Sequence, residues 1–76
     1  MKVTVVLMGS LESARGKRIE MELAEGACIA DAIAATPVDR EEVDFAATIL
    51  NTEQADPSQR LSDGDRLYIF PPLAGG

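Results

Sequence analysis

Apolar and polar positions recur with different periods along this chain, and each change of period marks an element. Residues 2–8, Lys2-Val3-Thr4-Val5-Val6-Leu7-Met8, are β-rich and nearly continuously apolar. That pattern predicts a strand buried on both faces. Gly9 to Lys17 is polar, with glycines at Gly9 and Gly16. It reads as a long hairpin connection with a helical turn around Leu11-Glu12-Ser13-Ala14. Arg18-Ile19-Glu20-Met21-Glu22-Leu23 then alternates with period two. Ile19, Met21 and Leu23 share one side, and Arg18, Glu20 and Glu22 the other. This predicts a half-exposed strand antiparallel to the first. Glu20 and Glu22 form a carboxylate pair by spacing, but on the polar side of a strand they read as solvated surface rather than as an acid–base couple.

Glu25-Gly26 breaks the alternation, and residues 28–35 switch to helical spacing. Ile29, Ala32 and Ile33 stand at i, i+3 and i+4 and make one apolar stripe. Pro37 ends this helix, because the residue before a proline avoids helical backbone. Cys28 falls at the helix N-cap. A thiol there can be activated, or it can pack as a small hydrophobe, and both readings stand. Asp39-Arg40-Glu41-Glu42 reads as a solvated turn, and Ala46-Ala47-Thr48-Ile49-Leu50 as the third strand. Asn51-Thr52 begins a turn. Residues 53–60 are expected to be irregular, since Pro57 excludes a central strand. Leu61-Ser62-Asp63-Gly64-Asp65 is the strongest turn signal, and Arg66-Leu67-Tyr68-Ile69-Phe70 is the last strand. Pro71 and Pro72 cannot donate to a ladder and end it.

The order strand, strand, helix, strand, strand requires one helix to cover one face of one mixed sheet. The two most apolar strands, first and last, should lie side by side at its centre. This is an α+β, ubiquitin-like β-grasp: residues 1–70 as a single domain and 71–76 as a flexible tail.

Composition narrows the function. The chain has 76 residues and a formal charge of −6, with 13 acidic against 7 basic residues. Such a surface disfavours nucleic acid, whose phosphates call for a basic footprint, and suits a basic protein partner. A single cysteine permits no internal disulfide, and no histidine is present. No metal site of ordinary type and no phosphate loop are expected. The apolar runs are too short for a membrane span, and no signal peptide is expected, since Lys2 leads straight into the apolar run from Val3 with no small-residue cleavage site. A reducing, cytoplasmic setting and a monomeric chain that does not catalyse alone follow as expectations.

The chemistry then concentrates at Phe70-Pro71-Pro72-Leu73-Ala74-Gly75-Gly76. A carboxylate carried on two residues without side chains is slender and flexible enough to enter another protein's active site. Gly76, with Gly75 behind it, is the candidate reactive group, and Ala74 is small enough to follow. A frayed, inert terminus is the plainer alternative.

With these elements in place, the chain resembles the MoaD/ThiS family of sulfur carriers over nearly its whole length. The likeness includes Gly9-Ser10-Leu11 after the opening strand, Gly16-Lys17, Glu25-Gly26-Ala27, Leu61-Ser62-Asp63-Gly64-Asp65 and the terminal segment from Phe70 to Gly76. The proline pair is closer to the molybdopterin synthase small subunit than to the thiamine branch. Three positions depart from the family pattern: Thr52 follows Asn51 where glycine is common, Cys28 replaces threonine, and Met8 replaces an aromatic.

The resemblance implies that a ubiquitin-activating-type enzyme uses ATP to adenylate the Gly76 carboxylate. Sulfur from a persulfide enzyme then displaces AMP and leaves a thiocarboxylate. The large subunit of molybdopterin synthase, MoaE-like, would accept the tail and take its sulfur. No cofactor would be bound permanently. The resemblance also implies a partner surface made by Met8, Leu61, Phe70, Pro71, Pro72, Leu73 and Ala74. For Met8 and Leu61, ordinary core is the competing reading. Three other functions use the same features: a sulfur carrier for thiamine or another pathway, a modifier conjugated to lysines through Gly76, and a β-grasp interaction module with an inert tail.

Overall fold

The structure, a computed structural model, describes residues 1–11 and 18–72. Five strands form one mixed sheet: β1 (Lys2–Leu7), β2 (Arg18–Glu22), β3 (Ile49–Leu50), β4 (Glu53–Gln54) and β5 (Arg66–Ile69). Their spatial order is β2-β1-β5-β3-β4. The expected ubiquitin-like β-grasp is therefore the observed fold. β1 pairs antiparallel with β2 and parallel with β5, placing the first and last strands together. Among the described residues one α-helix, α1 (Ile29–Ala34), covers one face of the sheet with its predicted stripe: Ile29, Ala32 and Ile33 are all buried. They join Val3, Val5, Leu7, Leu67 and Ile69 in the core cluster. Each Val, Leu or Ile among them contributes roughly 1.5–3 kcal/mol when taken fully out of water.

Local chemistry sets the ends of α1. Cys28 is the N-cap, and its N–H donates to Asp31 Oδ2 at 2.9 Å. That hydrogen bond holds the Asp31 carboxyl below the usual carboxylate range. At the other end, Thr36 turns its hydroxyl back onto the Ile33 carbonyl (2.6 Å), one of the acceptors a helix terminus leaves open. The helix ends before Pro37, as expected.

The 62–65 turn sets the register of β5. Gly64 N–H donates to the Lys2 carbonyl (2.8 Å), and Thr4 N–H to the Asp65 carbonyl (3.0 Å). Lys2 N–H in turn donates to Asp63 Oδ1 at 2.7 Å. The turn is thereby stapled to the start of β1, and every later residue of β5 falls into place beside it.

Three expectations need correction. The strand expected over Ala46–Leu50 is only Ile49–Leu50, preceded by a 3-10 turn at Phe45–Ala47. Two consecutive alanines lack the β-branched side chains that favour strand. The Ala47 N–H instead closes onto the Asp44 carbonyl at 3.1 Å. Residues 53–60, expected to be irregular, begin with the two-residue strand β4. It forms because the Asn51-Thr52 turn is tight: Asn51 takes a φ of 58°, a conformation asparagine tolerates, and its side chain holds Asp65 and the Arg66 N–H. Thr52 therefore has no need to be glycine. Finally, β1 is not covered on both faces along its length. Val3, Val5 and Leu7 point into the core, whereas on the opposite face only Val6 is buried, 4% exposed, beside half-buried Thr4. The helical turn expected around Leu11–Ala14 lies mostly outside the described residues; Leu11 itself ends a 3-10 turn, Gly9–Leu11.

Among the described residues one buried side-chain group is unpaired. Thr48 is 0% exposed and its Oγ1 finds no hydrogen-bond partner within the protein. A buried, unsatisfied hydroxyl carries a desolvation cost of about 1–3 kcal/mol. Thr48→Val, which keeps the branched shape and removes the hydroxyl, is therefore expected to stabilise the fold by about 1 kcal/mol in urea unfolding. A lower midpoint for the variant would contradict this account of the site.

Candidate docking face and tail base

Side chains alternate across a sheet, so the face away from α1 is set by the register. One cross-strand row reads Arg18, Val6, Tyr68, Ile49, Gln54. The next row toward the start of β1 reads Glu20, Thr4, Arg66. Toward its end, continuing the β1–β5 register past Leu7 and Ile69 brings Met8 level with Phe70. Ile49, Tyr68, Met8 and Phe70 are all partly exposed. Phe70, Ala47, Ile49 and Gln54 line a shallow groove of about 270 Å³. The outer face thus carries an apolar stripe that leads to the point where the chain leaves the sheet.

Two backbone hydrogen bonds hold that exit point. Met8 N–H donates to the Ile69 carbonyl (3.0 Å), and Asp44 N–H to the Phe70 carbonyl (2.8 Å). The first continues the β1–β5 ladder by one residue. The second ties Phe70 to the turn that precedes Phe45. Pro71 then lies against Gly9, which has a φ of +57°. A Cβ at Gly9 would stand 3.1 Å from Pro71 Cγ and 3.3 Å from Pro71 Cδ. Pro71 is half-buried and Pro72 exposed.

Among the residues expected to meet a partner, Met8, Phe70 and Pro71 come together here, with Pro72 next in the chain. Leu61 does not belong with them. It is 5% exposed and part of the core cluster, and its N–H donates to the Ala27 carbonyl (2.9 Å). The turn that follows it is polar, but Leu61 itself faces inward, so its assignment to the docking surface is corrected to core. Leu73, Ala74, Gly75 and Gly76 lie outside the described residues. Sequence reading also missed Ile49, Tyr68, Ala47 and Val6 as components of the outer face. The signal was present for Tyr68: in Arg66–Phe70, Leu67 and Ile69 define one side, which sends Tyr68 and Phe70 to the other.

No group of three or more histidine, cysteine or acidic side chains among the described residues is placed to hold a metal ion. The carboxylates with displaced titration serve local turns. Besides Asp31, Asp56 is held below the usual range by the Ser58 hydroxyl (2.7 Å) and then by the Ser58 N–H (2.8 Å). Cys28 is half-buried at the N-cap, between the two readings its sequence position allowed. No helix among the described residues is long and apolar enough to cross a membrane.

A small β-grasp domain with an apolar outer face and a C-terminal extension leaving from its central strand belongs to the ubiquitin-like class. Residues 5–76 match the family model described as the ThiS family, and the chain belongs to that family. Its type is that of the MoaD/ThiS-like sulfur carriers. Solved structures agree on the fold. SAMP1 from Haloferax volcanii superposes with a TM-score of 0.82 at 22% identity, covering 100% of both chains. A Pyrococcus furiosus protein provisionally named molybdopterin converting factor, subunit 1, gives 0.75 at 25% identity, covering 96% of this chain and 99% of that one. The complex of subunits 1 and 2 of the molybdopterin-converting factor from Helicobacter pylori gives 0.67 at 22% identity, with 100% of both chains covered. No curated protein sequence matches the chain significantly.

The geometry separates Leu61 from Phe70 by experiment. Leu61→Ala is expected to cost about 2–5 kcal/mol of folding stability, as core truncations do. Phe70→Ala, at a partly exposed position, should cost clearly less in the same urea titration. Equal losses would mean that Phe70 is core and not part of an outer face.

Proposed function

We propose that this chain is a sulfur carrier acting through its C-terminal carboxylate, and that it serves as the small subunit of a molybdopterin synthase. The observation that carries the reading is the match to the ThiS family through the final glycine, residue 76. The sulfur pathway is supported by the resemblance of Phe70-Pro71-Pro72 and the terminal glycines to the molybdopterin branch, and by the two molybdopterin-converting-factor structures that share the fold.

The chemistry begins from a poor electrophile. The Gly76 carboxylate attacks the α-phosphorus of ATP, pyrophosphate leaves, and an acyl-adenylate forms. A ubiquitin-activating-type enzyme supplies the site for this step. The terminal sulfur of a persulfide then attacks the acyl carbon and AMP departs, giving an acyl disulfide. A thiol cleaves that S–S bond by two-electron reduction, leaving the thiocarboxylate on Gly76 and a disulfide on the donor side. Within a MoaE-like large subunit, the thiocarboxylate sulfur is the nucleophile toward the pterin precursor. The partner provides the surrounding acid–base groups.

The division of labour suits what this chain contributes. The apolar stripe of Ile49, Tyr68, Met8 and Phe70 docks the folded domain, and the tail delivers the reactive group. The acidic balance, −6 overall, favours partners with basic rims. A second reading keeps the adenylate and replaces sulfur with an amine, which would make the chain a ubiquitin-like modifier. It is favoured by the fold shared with the Haloferax volcanii structures named SAMP1 and small archaeal modifier protein 1.

Removing Gly76 is expected to abolish adenylation and sulfur transfer while leaving the unfolding midpoint unchanged. Gly75→Val should block adenylation sterically, again without unfolding. Both are read by ATP–pyrophosphate exchange alongside circular dichroism. Full sulfur transfer by the truncated protein would sink the carrier reading.

A further inference from the structure

We infer that Gly9 is a positioning residue for the base of the C-terminal tail: its missing side chain makes the seat on which Pro71 lies, and that seat sets the direction in which the chain leaves the sheet at Pro71-Pro72. The kinetic consequence rests on the sulfur-carrier reading, whereas the geometric one rests on the fold alone.

Two features of Gly9 point the same way. Its φ of +57° is a left-handed conformation that disfavours most side chains. Independently, a Cβ there would meet the Pro71 ring at 3.1 Å, so that the ring would have to give by a few tenths of an ångström. The ring is constrained from behind. Phe70, directly before it, is tied through its carbonyl to Asp44 N–H, and Ile69 is tied to Met8 N–H. With the preceding backbone held on both sides, a push on Pro71 resolves by turning the chain outward. Pro71 is followed by Pro72, whose φ is also fixed near −65°, so the pair transmits a change of direction instead of absorbing it. The contact joins the end of β1 to the end of β5, the two strands whose parallel pairing delivers the tail.

Of the docking stripe only Met8 adjoins Gly9, whereas Ile49, Tyr68 and Phe70 stay in place, so an unchanged KM separates tail direction from docking. Misdirection of the tail should therefore reduce the fraction of docked molecules whose carboxylate reaches the reacting position. Misplacement of a reacting group by about 1 Å can cost on the order of a hundredfold in rate.

The test uses Gly9→Asn, because asparagine tolerates positive φ and so separates the added Cβ from backbone strain. It is combined with Pro71→Ala, which removes the ring the Cβ would meet. In ATP–pyrophosphate exchange with a ubiquitin-activating-type adenylating enzyme from the same organism, Gly9→Asn should lower kcat about tenfold. KM should stay near that of the parent, as should the unfolding midpoint. The double variant should recover kcat to the level of Pro71→Ala alone. A loss that tracks the melting midpoint, or that Pro71→Ala fails to relieve, overturns the inference, as does unchanged kcat.

A second readout needs no enzyme. Nuclear Overhauser contacts should connect Gly9 Hα with the Pro71 ring in the parent protein. Amide shifts of residues 73–76 should move in Gly9→Asn and return in the double variant. If the parent protein supports no exchange at all, the carrier reading fails, while these spectra still decide the positioning role: absent contacts or unmoved shifts overturn it.

Discussion

The parallel pairing of β1 with β5 is the constraint on which the rest of this molecule depends. Parallel neighbours cannot be joined by a tight turn, so everything between them must cross over and return. In this chain the crossover includes the helix that supplies the other wall of the core. The register is set at one end by the 62–65 turn, through Asp63, Gly64 and Asp65 on Lys2 and Thr4. It is closed at the other by Met8 on the Ile69 carbonyl. The same pairing that buries Val5 beside Leu67 therefore decides where the chain leaves the sheet. Folding and presentation of the tail are two consequences of one ladder.

The two faces of that ladder serve different purposes. Toward α1, Val3, Val5, Leu7, Leu67 and Ile69 are fully enclosed. On the other face, Tyr68, Ile49 and Phe70 remain partly open to solvent next to the tail base. Exposed apolar side chains grouped in this way, and not scattered, mark interaction surfaces. On the sulfur-carrier reading proposed above, this face would be the handle by which a partner holds the domain while Gly76 reacts.

Much of the fold was legible in the sequence because periodicity reports directly on burial. Alternation in Arg18–Leu23 and the i, i+3, i+4 stripe of Ile29, Ala32 and Ile33 need no tertiary information, and neither does the proline stop after Phe70. What stayed hidden depends on contacts remote in sequence. β4 is two residues long and exists because Asn51 clips the hairpin to Arg66 and Asp65. For Leu61 the resemblance implied a partner surface and core was the competing reading; its hydrogen bond to Ala27 and its burial decide for core. The continuous apolar run of β1 implied cover on both faces. Such a run cannot distinguish a second layer from burial by neighbours in the same sheet, and Val6, between Arg18 and Tyr68 in its row, is the latter case. At the tail, Gly75 and Gly76 are singled out by the sequence alone and lie outside the described residues, whereas the seat of Pro71 on Gly9 required coordinates of two strands at once.

The central claim is chemical, and mass spectrometry of the intact chain tests it most directly. The protein would be incubated with ATP, the adenylating enzyme and a persulfide sulfur donor, and the product fragmented to locate any change. The account predicts a gain equal to the difference between one sulfur and one oxygen, confined to Gly76. An unchanged mass, with the enzymes shown to be active on another carrier, would contradict it, and so would Gly76 recovered only in an isopeptide bond.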